Sequence, residues 1–177
     1  SAVHVVQADG SRLVFNCGSD YGRRCASDDR ALGFIEVRPP AGGEAFAWHW
    51  THGDGAGRQL SFDSAGRLAR ITAPTGEFVS LLYDPGGTLR KVVDPQGRTL
   101  EFHYPQRRQA QANGRYAGVE RIVSPAGTFH YAYGTEALAG EDATTVNARR
   151  LALVSVAGPA GDKGAPVRRY HYEDGRH

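Results

Sequence analysis

The residues able to do chemistry in this chain fall into a few groups, and their spacing limits each one. His49-Trp50-Thr51-His52 offers two imidazoles, but three apart on a strand they point to opposite faces and cannot share a metal ion without a bulge. The triplets Phe102-His103-Tyr104, Phe129-His130-Tyr131 and Tyr170-His171-Tyr172 each set a His between two aromatic residues. Neighbouring strands that aligned them would carry a His row titrating between about pH 5 and 7, although a solvated His needs no such role. Asp54, Asp63, Asp84, Asp94 and Glu101 are carboxylates of the kind a glycosidase pairs. Most of them fall at turn positions, where Asp bonds nearby backbone. No Gly-x-Ser-x-Gly occurs, and Gly53-Asp54-Gly55-Ala56-Gly57 is followed by neither a helix nor a Lys-Ser/Thr pair. The reading is of a chain with no catalytic residues, no cofactor and no metal.

Cys17 and Cys25 bracket a polar stretch that reads as a loop. They either close a disulfide, which loop entropy values at about 2.5 kcal/mol, or remain free thiols in a reducing compartment. Without a Cys/His pair nearby they fall short of a zinc set. In an otherwise Cys-free chain the expectation is the disulfide. Trp48 and Trp50 share one face of a strand expected over 45–51, with Phe46 beside them. Buried, they are core. Exposed, they form a stacking platform for sugar rings, which is the alternative of a carbohydrate or cell-surface binding module.

The elements that must position these groups follow from composition and periodicity. With 177 residues, 40% of them hydrophobic and a net charge of +2, the chain is long enough to bury a core in one domain, or two at most. Of the 21 basic residues, 19 are Arg scattered along the sequence, which excludes the concentrated stripe of a nucleic-acid binder. The longest uncharged apolar run, 151–160, is far short of the about 20 residues that cross a bilayer. No basic stretch followed by an apolar one opens the chain, and it has no Met. It therefore reads as a piece of something larger.

Short runs alternating in period two, separated by Gly, Pro, Asp and Asn, predict strands over 1–7, 12–16, 34–38, 45–51, 58–62, 68–72, 78–83, 88–93, 98–104, 118–123, 128–133, 151–156 and 167–172. The one helix-compatible stretch, 107–112, is taken as a loop. A repeat organises the strands. Phe62-Asp63-Ser64-Ala65-Gly66-Arg67-Leu68-Ala69-Arg70-Ile71 returns 21 residues later as Tyr83-Asp84-Pro85-Gly86-Gly87-Thr88-Leu89-Arg90-Lys91-Val92. The same shift carries Pro74 to Pro95, Gly76 to Gly97 and Tyr83 to Tyr104. Looser copies follow, after insertions near 106–116 and 135–147. Each unit predicts a β-hairpin with an Asp-x-x-Gly or Asp-Pro turn and a Pro-x-Gly turn. Val79, Leu81 and Tyr83, with Leu100, Phe102 and Tyr104, are expected to form a buried ladder that gains stability by lateral repetition.

The pattern Tyr/Phe-Asp-x-x-Gly-x-Leu-x-x-Ile/Val, then Pro-x-Gly, then an apolar strand ending in Tyr-Asp, resembles the YD repeat of Rhs proteins. It rests on Phe62, Asp63, Gly66, Leu68, Ile71, Pro74, Gly76, Tyr83, Asp84, Gly87, Leu89, Val92, Pro95, Gly97 and Tyr104. The match is strongest over 57–104, which divides the chain into an N-terminal β region with half-repeats, 1–56, and YD-repeat-like hairpins, 57–177. The resemblance implies an all-β fold of antiparallel hairpins in a curved sheet, part of a shell wall. It also implies a secreted or cell-surface protein, an oxidising surrounding for the Cys pair, and as partners the remaining repeats and a toxin or effector cargo, with a surface glycan as the alternative. The repeat degrades at Tyr104-Pro105 and Tyr133-Gly134, and neither the family's self-cleavage motif nor a toxin domain is found in these residues.

Overall fold

The computed structural model describes residues 1–18, 23–38, 46–53, 57–105, 118–134, 152–158 and 166–169. The inserted segments, the 107–112 stretch, Asp54 and the Tyr170-His171-Tyr172 triplet lie outside them. The described residues are all-β. In chain order they form β1 (Ala2–Val6), β2 (Arg12–Cys17), β3 (Arg24–Ala26), β4 (Phe34–Val37), β5 (Phe46–Thr51), β6 (Gln59–Asp63), β7 (Leu68–Thr72), β8 (Phe78–Tyr83), β9 (Leu89–Val93), β10 (Thr99–His103), β11 (Arg121–Ser124), β12 (Gly127–Gly134), β13 (Ala152–Ala157) and β14 (Pro166–Arg169). Their order in the sheet is the order of the chain, as short hairpin connections require. A single 3-10 turn, Arg30–Leu32, is the only helical element among the described residues.

One turn frame recurs. In Gln7-Ala8-Asp9-Gly10, Asp63-Ser64-Ala65-Gly66, Ala73-Pro74-Thr75-Gly76, Asp84-Pro85-Gly86-Gly87 and Asp94-Pro95-Gln96-Gly97, the Gly N–H donates to the first residue's carbonyl at 2.9–3.0 Å. Each of these glycines has positive φ, the left-handed fourth position that closes a tight hairpin. The two turn classes read from sequence are therefore one. Where the first residue is Asp, its carboxylate adds bonds of its own. Asp63 Oδ1 accepts from Ala65 and Arg67 N–H, and Asp84 Oδ1 from Thr88 N–H.

Contacts divide the chain into two compact units: 1–82 with 92–97, and 83–91 with 98–177. In the first, directly opposed residues make two rows of contrasting character. On one face run Cys17, Cys25, Ile35, Trp50, Leu60, Ile71 and Val79. On the other run Arg24, Glu36, His49, Ser61, Arg70 and Ser80. The core gathers on the first face, where Phe15, Cys25, Ile35 and Trp50 are buried and Val3, Val5, Leu13, Leu32, Trp48, Leu60 and Phe62 pack around them.

This places the core away from the expected ladder. Val79, Leu81, Tyr83, Phe102 and Tyr104 are only half-buried, and Leu100 is 39% exposed. The repeat's ladder lies on a sheet face, whereas Phe15 and its neighbours are pressed against the N-terminal strands. Of the stretch between the cysteines, 19–22 lies outside the described residues, and its last residue opens a strand. Arg24–Ala26 is a strand, and Cys17 and Cys25 are opposed residues on β2 and β3.

In the second unit Phe102, Ile122 and Phe129 are opposed across β10, β11 and β12. The adjacent row reads His103, Arg121, His130. Two of the triplets thus align their imidazoles with an Arg between them, and among the described residues no continuous His row forms.

Candidate functional site

The apolar face of the first unit is built around Trp50. Its β-strand neighbours Ile35 and Leu60 flank it, and Phe15 meets it edge to face with centroids 5.5 Å apart. The indole N–H donates to the Leu32 carbonyl at 2.6 Å, so the 3-10 turn supplies the polar partner that a buried Trp needs. His52 stacks on the indole at 4.2 Å. Cys17 and Cys25 are joined as a disulfide, with Cys25 fully buried. Trp48 is half-buried and lines an open cleft of about 300 Å³ with Val3, Val5, Ile35, Phe62 and Gly66. The two tryptophans share a face, and the cleft that Trp48 reaches is walled mostly by apolar side chains, with the His4 imidazole the one polar side chain among its described lining residues, where a sugar site needs several polar donors.

The opposite face is polar and partly sealed. His49 is 5% exposed and Ser61 2%, and the imidazole Nδ1 lies 3.0 Å from Ser61 Oγ. A bulge between Phe46 and Trp48 turns the Phe46 ring onto this face, where it meets His49 edge to face. Arg70 stands directly across from Ser61, its guanidinium carbon 4.6 Å from the Phe46 centroid and 4.2 Å from that of Phe78. Sequence reading singled out His49 and passed over Arg70. The bulge that moves Phe46 has no signature in the sequence, so no spacing rule brings Phe46 and Arg70 together.

The repeat motif residues act at the hairpin ends. Partial burial alone would raise the Asp63 carboxyl. The Arg67 N–H, the Arg67 side chain at 2.8 Å and the Ala65 N–H more than offset this and hold it below its ordinary value of 3.8. The Thr88 N–H does the same for Asp84, against some desolvation and with help from Arg90 at 2.8 Å. Glu101 is held low chiefly by Lys91 at 3.0 Å. Each of these carboxylates is engaged by a donor or cation, a poor arrangement for a general acid. Gly66, Gly76, Gly87 and Gly97 occupy the left-handed turn position. Pro74 and Pro95 follow the first turn residue, where a φ near −65° suits the turn. Leu68, Ile71, Leu89 and Val92 lie on the strands between.

Antiparallel hairpins added in chain order, with one turn frame recurring at every connection from β6 to β10, define a tandem β-hairpin repeat. Residues 62–99 match the family model described as RHS Repeat, and over that segment the chain carries Rhs repeat sequence. No curated protein matches the chain.

Proposed function

We propose that this chain is a non-catalytic wall segment of an Rhs/YD-repeat protein, secreted or displayed at the cell surface, whose repeats enclose or present a toxin or effector. The observation that carries the reading is the coincidence of the RHS Repeat match over 62–99 with the single turn frame and chain-ordered sheet. A sheet that grows by one hairpin per repeat extends laterally without new folding rules, which is what a wall needs. Each engaged turn carboxylate and each half-buried ladder residue then has a structural task. No helix among the described residues is long and apolar enough to cross a membrane.

The test is limited proteolysis of the full parent protein. With the segment intact the cargo should resist cleavage. Deleting 62–72, about half a repeat, breaks the hairpin succession and should expose it, while deleting the whole unit 62–82 should be tolerated better. Cargo cut equally fast in the intact parent and as a free domain would overturn the proposal.

A further inference from the structure

Among the described residues no carboxylate compensates the guanidinium of Arg70. It is clamped between the rings of Phe46 and Phe78, with centroid distances of 4.6 and 4.2 Å. Its Nε is sealed from water and has no hydrogen-bond partner. Among the described residues Arg70 forms neither an ion pair nor a side-chain hydrogen bond. That is costly, since a sheltered donor left unmade loses the water it would otherwise bind. Two other arginines of the repeat have carboxylates at hand: Arg67 has Asp63 and Arg90 has Asp84. Arg70 sits mid-strand on β7, opposite Ser61 on one side and Ser80 on the other, and neither neutralises it.

We infer that the Phe46–Arg70–Phe78 clamp is a docking point for a carboxylate of a partner polypeptide, an Asp or Glu flanked by apolar side chains. Three features of the clamp select that chemistry. A guanidinium presents a planar fork that matches a carboxylate, and the cation–π contacts with the two rings hold the group without consuming its terminal N–H donors. The rings themselves supply an apolar rim, with Phe78 42% exposed, so the residues beside the acid should be apolar. The clamp offers one cation, which suits a monoanion. A phosphate or nucleic-acid site gathers several. The floor is firm, because Ser61 and the His49 bonded to it are buried beneath the same face. This surface goes beyond the wall role, and a wall without it would still stand.

The experiment is a titration of the isotope-labelled chain with a capped leucyl-glutamyl-leucine tripeptide, following the Arg70 Nε–H resonance by NMR. A saturable shift is expected. It should be weaker by about ten-fold with the glutaminyl counterpart, and by a similar factor in Arg70→Lys, which keeps the charge and loses the fork. Thermal melts establish that the variant folds. If it does not, Phe78→Leu, at an exposed ring, takes its place and should also weaken binding. The inference is overturned by the absence of a saturable shift, by equal affinity for the glutaminyl peptide, or by an equal or stronger response to inorganic phosphate. A shift that grows with protein concentration in the absence of peptide would also overturn it, because the occupant would then be a second copy of the chain.

Discussion

The ring of Phe15 meets that of Trp50 edge to face at 5.5 Å, although β3 and β4 lie between their strands in the sheet. Three strand spacings on a flat sheet amount to about 14 Å. The contact therefore requires the N-terminal strands to bend toward the apolar face, with both side chains leaning inward. The bend lets a single sheet bury residues, because β2 covers what a second layer would otherwise cover. The buried residues cluster here for that reason, while the regular repeats keep their ladders half-exposed.

Truncations should follow this division. Phe15→Ala is expected to cost about 3–5 kcal/mol by leaving a cavity. Trp50→Phe keeps a ring but strands the Leu32 carbonyl, for about 1–3 kcal/mol. Leu100→Ala, at a 39% exposed position, should cost clearly less than either. Urea titration of the three variants checks the order, and a loss at Leu100 matching that at Phe15 would place the core in the ladder after all.

The Cys17–Cys25 link closes a short loop next to that core. Reduction should lower stability by about 2–3 kcal/mol on loop-entropy grounds. Intact mass under non-reducing conditions should fall short of the reduced mass by the lost thiol hydrogens. Protein from an oxidising compartment that alkylates at both positions would refute it.

Much of this was legible because turn chemistry is local. Asp63, Gly66, Asp84 and Gly87 announce their hairpins within four residues, and the strands between alternate in period two. Burial was not legible from the same signals. Phe102 and Phe15 look alike in sequence, and only the bend separates a half-covered ladder from a sealed core. The Arg24–Ala26 strand is too short to show a period. At Arg70 the decisive event is the β5 bulge, whose extra residue puts Phe46 on the face of His49.

Two glycines with similar φ should respond differently to alanine. Gly66 (φ 79°) has open space where a Cβ would go, so Gly66→Ala should cost only the left-handed penalty, about 1–2 kcal/mol. Gly33 (φ 74°) abuts the Thr51 carbonyl and the Gly53 backbone. There a Cβ cannot fit without backbone movement, and Gly33→Ala should lose about 3 kcal/mol or more. Equal losses would mean that the close approach of Gly33 to Gly53 is not kept in solution.

Acid should loosen the hairpin ends. Because the folded-state carboxyl of Asp63 is held below 3.8, its contribution is present above the unfolded value and is lost as the pH falls through the folded one. Stability of the native chain should therefore decline below about pH 4. Asp63→Asn should be less stable than the native chain at neutral pH and converge toward it in acid. Parallel curves across the whole range would show that the Arg67 bonds contribute nothing.

The tryptophans separate a wall from a glycan-binding surface. Trp50 is 4% exposed with its N–H committed to Leu32, so it should emit in the blue and resist quenching by acrylamide. Trp48 lines the cleft beside Val3, Val5 and Phe62. Its emission is the one that a stacked sugar would move, since stacking requires an accessible ring face. The cleft's mostly apolar walls offer His4 as their one polar side chain among the described lining residues, few donors for sugar hydroxyls, so a glycan panel titrated against Trp50→Phe, which leaves Trp48 as the sole reporter, should produce no shift. Trp48→Ala should correspondingly reduce stability by about 3 kcal/mol, through lost packing on Phe62 and Val37. A saturable glycan response that disappears in Trp48→Ala, with little change in the unfolding midpoint, would reverse the assignment and make this face a binding surface.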